Sequence, residues 1–198
     1  MTPPTPPTPP LHLLTERLLL RAPTVAFAPA VNAFQLRNIE RFAPWDPPYA
    51  PGYFELDGVR NRLTRSAEDF ATGNAYCYWL SRTETPAELI GKINVTQVNR
   101  GAFQSAAIGY ALDGQALGQG LMAEGLRAVI AQMFDPQVGL HRLQAAVRPE
   151  NLPSVAVLER LGFCLVGLSP RYLFINGSWR DHQIYALINP DWHDDKAP

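Results

Sequence analysis

Long apolar runs are missing from this chain of 198 residues. No stretch approaches the roughly 20 apolar residues that cross a bilayer, and no basic segment leads into an apolar core near the start. A secretory leader and a membrane partner are therefore not expected, and the expected location is cytoplasmic. Cysteine is scarce: Cys77 and Cys164 are the only two and lie far apart in segments that read as strands. That excludes a disulfide scaffold and predicts reduced thiols that fill the core. His12, His141, His182 and His193 have no ligand spacing among themselves or with either thiol, so no metal is expected. Excess charge is lacking as well. With 17 Lys+Arg against 18 Asp+Glu the formal balance is -1, which predicts no direct nucleic-acid partner. A Gly-x-Ser-x-Gly elbow and a paired Cys–His motif are also absent, leaving no case for a covalent nucleophile.

Proline, by contrast, is abundant, and the chain opens on MTPPTPPTPP. This repeat cannot hold a helix and has almost nothing apolar to bury, so polyproline II or disorder is expected there. Residues 1–13 read as a flexible Pro/Thr-rich tail and 14–198 as one domain, a length that can bury a proper core. A hydrophobic fraction of 46% and a mean hydropathy of -0.11 are those of an ordinary globular chain.

The most informative stretch is 106–126, AAIGYALDGQALGQGLMAEGL. Residues 106–112 have strand character, and a turn with Gly114, Gly118 and Gly120 leads into an amphipathic helix. The first N–H groups of a helix have no internal partner and carry the positive end of its dipole, so this order of elements makes an anion site. Glycine lets the backbone close around a phosphate. Two nucleotide readings fail. A Walker loop needs Lys then Ser or Thr where Leu121 and Met122 stand, and a dinucleotide fingerprint needs a third glycine where Ala123 stands. In the helix that follows, Met122, Leu126, Val129, Ile130 and Met133 form one apolar face. Glu124 sits in its first turns, where the dipole favours a carboxylate.

Elsewhere the patterning predicts a short strand after Leu14, a helix over 25–41 ended by the Pro-rich segment 43–48, and a second helix over 56–73. Strands follow over 75–82 and 89–98, antiparallel with 106–112 because the connections are of turn length. A strand over 141–147 leads to Asn151, which can cap a helix over 153–161 stopped by Gly162. Strands over 164–168 and 183–188 close the chain, with Asn176-Gly177 as a hairpin signal.

Several of these pieces resemble one family. Gln115-x-x-Gly118-x-Gly120 is similar to the pyrophosphate loop of the GNAT superfamily of acetyl-coenzyme A dependent acetyltransferases. Arg148-Pro-Glu-Asn151-x-x-Ser154, Leu161-Gly162-Phe163, Asn176-Gly-x-Trp179-Arg-Asp-His182, Phe42-Ala-Pro-Trp45 and Asn99-Arg-Gly101-x-Phe103 extend the likeness to the Rim-type ribosomal-protein-alanine N-acetyltransferases, their RimJ branch above all. The resemblance covers 14–192. It implies an α/β (α+β) fold: a mixed, mostly antiparallel twisted sheet splayed at its centre, with helices on both faces, as a monomer or homodimer.

The resemblance also implies a cofactor, acetyl-coenzyme A, and assigns residues to it. Backbone groups of Tyr110, Ala111 and Leu112 would hold the pantetheine arm like an added strand. Gln115, Ala116, Leu117, Gly118, Gln119, Gly120 and Leu121 would form the pyrophosphate loop, and Asn151 and Ser154 would reach the ligand in the strand gap. The segment after the first helix, with Trp45, and the second helix would wall the acceptor groove. The expected acceptor is the N-terminal alanine of a ribosomal-protein peptide. An α-amine has a pKa near ~7.7 to 8.0, against ~10.4 for lysine, so it needs little help to become neutral.

The catalytic groups are less plain. Many relatives carry a tyrosine as general acid where this chain has Leu158, and the Rim-type substitute maps to Ser154. A glutamate used as base elsewhere in the Rim type maps to Leu173. Glu124, Tyr172, Asp181 and His182 remain as candidates for the base; Asp181 and His182, as neighbours on a strand, point to opposite faces. Two alternatives stay open: acetylation of a small amine such as an antibiotic or polyamine, and a coenzyme A-binding or ribosome-assembly module without turnover.

Overall fold

The computed structural model describes residues 9–193, so the expectation for the first eight residues of the Pro/Thr repeat lies outside the described residues. Eight strands and four α-helices follow one another: β1 (His12–Leu14), β2 (Leu18–Arg21), α1 (Ala28–Phe42), α2 (Leu56–Thr72), β3 (Tyr76–Arg82), β4 (Leu89–Asn99), β5 (Ser105–Leu112), α3 (Leu121–Phe134), β6 (Arg142–Val147), α4 (Leu152–Arg160), β7 (Cys164–Ile175) and β8 (Ser178–Ile188). They build one sheet in the order β1-β2-β3-β4-β5-β6-β8-β7. Every neighbouring pair is antiparallel except β5–β6. The fold is thus the mixed, mostly antiparallel α/β sheet that the resemblance implies.

Side-chain alternation along β3 explains the layers. Tyr76, Tyr78 and Leu80 enter the larger core, together with Leu121, Leu126, Val129 and Met133 of α3 and Leu158 of α4. Trp79, and Cys77 at its margin, enter a smaller core with Phe34 of α1 and Val59 and Leu63 of α2. The period of two sends successive residues to opposite faces, so helices cover both. The α3 helix lies close to the sheet. A Cβ built on Gly125 would come within 3.0 Å of Leu80 Cδ2 and 3.3 Å of Ile93 Cδ1, so a larger residue there would push these methyl groups aside.

The element that shapes the centre is an interruption. Parallel pairing of β5 with β6 runs only through Ser105↔Arg142, Ala106↔Leu143 and Ala107↔Gln144. Beyond Ala107, β5 keeps β4 as its partner while β6 continues along β8 to Val147. The sheet therefore splits between Ile108–Leu112 and the upper half of β6, and one edge of β5 is left without a strand.

Three expectations change. The segment after Leu14 is a hairpin rather than one strand. Thr15 closes it, with its N–H donating to the Leu18 carbonyl at 2.9 Å, and β1 takes in His12 and Leu13 ahead of the expected start of the domain. The last two strands are longer than predicted and pair on both sides of the Asn176-Gly177 turn, where Gly177 has φ of 77°. Cys164 does not fill the core: it is exposed on β7, the edge strand, most of whose residues are exposed. Cys77 is half-buried against the smaller core.

Candidate functional site

The split in the sheet opens into a cavity of about 250 Å³. Residues 108–111 of β5 form one wall and 145–147 of β6 the other. Asn151, which caps α4, Ser154 in its first turn, His182 of β8, and Trp45 and Asp46 from the segment after α1 complete the lining. Among its titratable lining groups Lys92, Arg148 and His182 face one carboxylate, Asp46, which accepts a hydrogen bond from Tyr49 Oη at 2.7 Å.

At the end of β5 the chain enters the glycine turn, held from beneath by a buried carboxylate. Asp113 Oδ2 accepts from Arg37 Nε and from Asn38 Nδ2, its Oδ1 accepts from the Gln115 N–H at 2.9 Å, and Asn38 Oδ1 takes the Gly114 N–H at 3.1 Å. Burial alone would raise this carboxyl, yet the Gln115 N–H, the Asn38 amide and the Arg37 guanidinium together bring it below its ordinary value. This bracket uses the N–H groups of the turn's first residues. The N–H groups of 117–121 donate to nothing among the described residues. They end at the N-terminus of α3, with Gly118 at φ of 72° and Gly120 at 74°, conformations that favour glycine. Five successive donors at the positive end of a 14-residue helix can receive a diphosphate.

Two arginines that patterning did not single out brace this turn. Arg17 donates through Nη1 to the Gln119 carbonyl at 2.9 Å, and Arg82 through Nη2 to Gln119 Oε1 at 2.6 Å. Arg17 is itself held by Glu124, with 2.7 Å from Nε to Oε2, while Thr15 Oγ1 donates to Glu124 Oε1 at 2.6 Å. Burial opposes ionisation of Glu124, but Thr15 and the Arg17 N–H and guanidinium outweigh it and lower the carboxyl. The Glu124 carboxylate is thus spent on bracing and does not line the cavity.

Inside the cavity two hydroxyls meet. Ser154 Oγ donates to Tyr110 Oη at 2.8 Å, and Tyr110 Oη donates to the Ser154 carbonyl at 3.1 Å. Burial pushes the Tyr110 phenol up to about 12, against the smaller opposing effect of Ser154, so it stays a neutral donor. The resemblance implies a role only for the backbone of Tyr110. Its side chain reaches α4 from 44 residues away, on the side of the sheet where Leu158 is fully buried in the core. Asn151 caps α4, its Oδ1 accepting the Ser154 N–H at 3.3 Å, which leaves its amide N–H₂ for another partner.

His182 is 3% exposed and its Nδ1 lies 3.0 Å from the Arg180 carbonyl. A carbonyl only accepts, so Nδ1 carries a proton, and in the neutral ring Nε2 holds the lone pair. Tyr172 packs on this ring at 5.4 Å between centroids, and its side chain does not line the cavity. Asp181 points away, accepting the Arg171 N–H at 2.8 Å on the exposed face. Trp45 lies beneath the Arg148 guanidinium, 5.2 Å from its ring centroid, and Arg148 Nη1 donates to the Pro44 carbonyl at 2.7 Å. Leu173 is partly exposed on the edge strand β7. Among the described residues no helix is long and apolar enough to cross a membrane, and no three potential ligands gather as a metal site.

Comparison with known proteins places these features in context. The family described as acetyltransferase (GNAT) domain matches residues 17–164. A probable N-acetyltransferase of Bacillus subtilis, YjcK, is 38% identical over 157 residues, 79% of this chain and 86% of that protein. The [ribosomal protein uS5]-alanine N-acetyltransferase of Escherichia coli is 34% identical over 181 residues, 91% of this chain and 92% of that protein. Among solved structures, a ribosomal-protein-S5-alanine acetyltransferase from Vibrio fischeri superimposes with a TM-score of 0.88 at 30% identity, covering 93% of this chain and all of that one.

Proposed function

The chain belongs to the GNAT acetyltransferase family and is an N-acetyltransferase that uses acetyl-coenzyme A; from this premise we propose that its acceptor is the α-amine of an N-terminal alanine on a ribosomal protein. The observation that carries the coenzyme A site is the loss of β5–β6 pairing beyond Ala107, directly ahead of a turn whose N–H groups of 117–121 have no acceptor among the described residues. The likeness to the uS5-alanine enzymes supports the acceptor.

In this reading the cofactor's pyrophosphate lies on the N–H groups of 117–121, within the loop from Gln115 to Leu121. Its pantetheine arm pairs with the free edge of β5 at Tyr110, Ala111 and Leu112, and the Asn151 amide donates to that arm. The thioester then reaches the Tyr110–Ser154 hydroxyl pair. The neutral α-amine attacks the thioester carbonyl, and the tetrahedral intermediate expels the coenzyme A thiolate. As the thiolate develops, Tyr110 Oη turns from the Ser154 carbonyl and Ser154 Oγ from the phenol, each then donating its one proton's hydrogen bond to the sulfur. A phenol held near 12 gives a hydrogen bond more readily than a proton, so these groups stabilise charge. The proton shed by the amine passes to Nε2 of His182, directly or through one water, and from there to the thiolate or solvent. No covalent enzyme intermediate forms, and the product is the N-acetylated acceptor with free coenzyme A.

The test is acetyl transfer to short peptides with free Ala, Ser or Met N-termini, beside a lysine peptide with a blocked N-terminus. Transfer to the Ala peptide and not to the blocked lysine peptide is expected. Transfer only to lysine, or only to small amines such as polyamines, would overturn the proposed acceptor.

A further inference from the structure

A second cavity, of about 180 Å³, lies beside the strand split between α1, α2 and the β3–β4 face. Lys92 and Asn94 of β4 line both cavities, so the two are neighbours that share these side chains as a wall. Val31, Val59 and Leu63 make its apolar wall, and its charged lining groups are Arg62 and Lys92, without any carboxylate.

Its polar groups are short of acceptors. Arg62 donates to the Tyr53 carbonyl at 2.7 Å and to Gln35 Oε1 at 3.0 Å, and its guanidinium lies 3.6 Å from the Tyr53 ring centroid. None of these partners is an anion. Lys92 takes part in no ion pair among the described residues. The Trp79 side chain is 5% exposed and its Nε1–H, a donor with no other hydrogen-bonding role, has no partner. Cys77 cannot supply the missing negative charge, because burial pushes its thiol up to about 11 and keeps it neutral. A buried donor left unpaired is costly, and two cations on one cavity lining without a counter-charge leave that lining at positive potential. The arrangement is one that a carboxylate completes.

We propose that this cavity is a specificity pocket for an acidic side chain, Asp or Glu, at the second or third residue of the acceptor peptide. The proposal rests on the N-terminal acetyl-transfer reading above. With the α-amine at the strand split, the first few residues of the acceptor are those within reach of the opening at Lys92 and Asn94. Its carboxylate pairs with Lys92, while Arg62 adds favourable potential from the α2 side.

The experiment compares kcat/KM for N-terminal Ala peptides carrying Glu, Gln or Lys at the second or the third residue, with wild type, Lys92→Met, Lys92→Arg and Trp79→Phe. In wild type a Glu peptide is expected to exceed its Gln counterpart by about tenfold or more, the value of a hydrogen-bonded charge in a partly dry site. Lys92→Met narrows the Glu/Gln ratio to about twofold or less, while Lys92→Arg retains most of it. Trp79→Phe keeps the ring and removes a donor that is closed off from the cavity, so it should leave the ratio within about twofold of wild type. Thermal unfolding of each variant separates a lost pocket from a lost fold. Equal rates on Glu and Gln peptides, or a ratio that Lys92→Met leaves untouched, would overturn the pocket and leave the N-terminal reading standing. No transfer to any Ala peptide would overturn that reading and the pocket with it.

Discussion

The turn ahead of α3 and the wall of the second cavity flank the same strand split, yet they are built in opposite ways. The turn uses consecutive residues and works through its backbone: five N–H groups in a row, aimed by two glycines with positive φ. The second cavity gathers Gln35, Arg62, Trp79 and Lys92 from α1, α2, β3 and β4 and works through side chains. The first construction suits a ligand that does not vary, since the diphosphate of a cofactor asks only for donors and positive potential. The second suits a ligand whose side chains differ from one acceptor to another. Single substitutions can therefore damage the two sides separately.

The largest separable effect is expected at His182. His182→Ala removes the proposed proton acceptor, so kcat for the Ala peptide should fall by about 100-fold while the affinity for coenzyme A stays near wild type. Steady-state kinetics beside calorimetric titration of coenzyme A tests this; a fall in affinity of the same size would move His182 to the cofactor side. Gly120→Val probes the opposite side. A β-branched residue at φ of 74° drives the turn out of its conformation, and binding must restore it at about 2 kcal/mol. Coenzyme A affinity should drop by about 30-fold, and peptide selectivity should not change.

Ser154→Ala should lower kcat by about tenfold, less than the loss of an oxyanion donor, because Tyr110 keeps one hydroxyl at the thiolate. Tyr110→Phe in the same background should add to the loss less than it costs alone, since the two hydroxyls act as a unit. Glu124→Gln is the mildest. It should cost about 1 kcal/mol of stability by denaturant titration and leave the pH dependence of kcat/KM in place. A collapse of turnover would return Glu124 to the list of bases.

Acid brings out the same division. The Asp113 and Glu124 carboxyls both lie below their ordinary values in the folded protein, so the unfolded chain binds more protons over that range. Their stabilisation is present in full above the ordinary carboxylate range and is lost as the pH falls through their lowered folded values. In Asp113→Asn, stability should depend less steeply on pH in this acid window. Because Asp113 anchors the turn, coenzyme A affinity should weaken with it.

This division also sets what could be read from the sequence. The strand, glycine turn and helix over 106–126 were legible because their chemistry is local: the residues that make the N–H cradle are neighbours. The Asn176-Gly177 hairpin and the capping of α4 by Asn151 were legible for the same reason. Contacts across the sheet were not. Nothing near Glu124 in sequence announces that Arg17 and Thr15 will hold it, and Tyr110 meets Ser154 only because β5 and α4 flank one split. Strand adjacency did separate Asp181 from His182, but which of them faced the cavity depended on how β8 sits in the sheet. Cys164 was misplaced because its burial is set by strand order, and β7 is an edge.

The claim on which all of this depends is that the split between β5 and β6 and the N–H groups at the head of α3 receive one ligand. Backbone hydrogen exchange with and without acetyl-coenzyme A measures it directly. The account predicts slower exchange at 108–112 and 117–121 together, on addition of acetyl-coenzyme A alone. Protection at 117–121 with none at 108–112, or protection confined to the α1–α2 face, would contradict it.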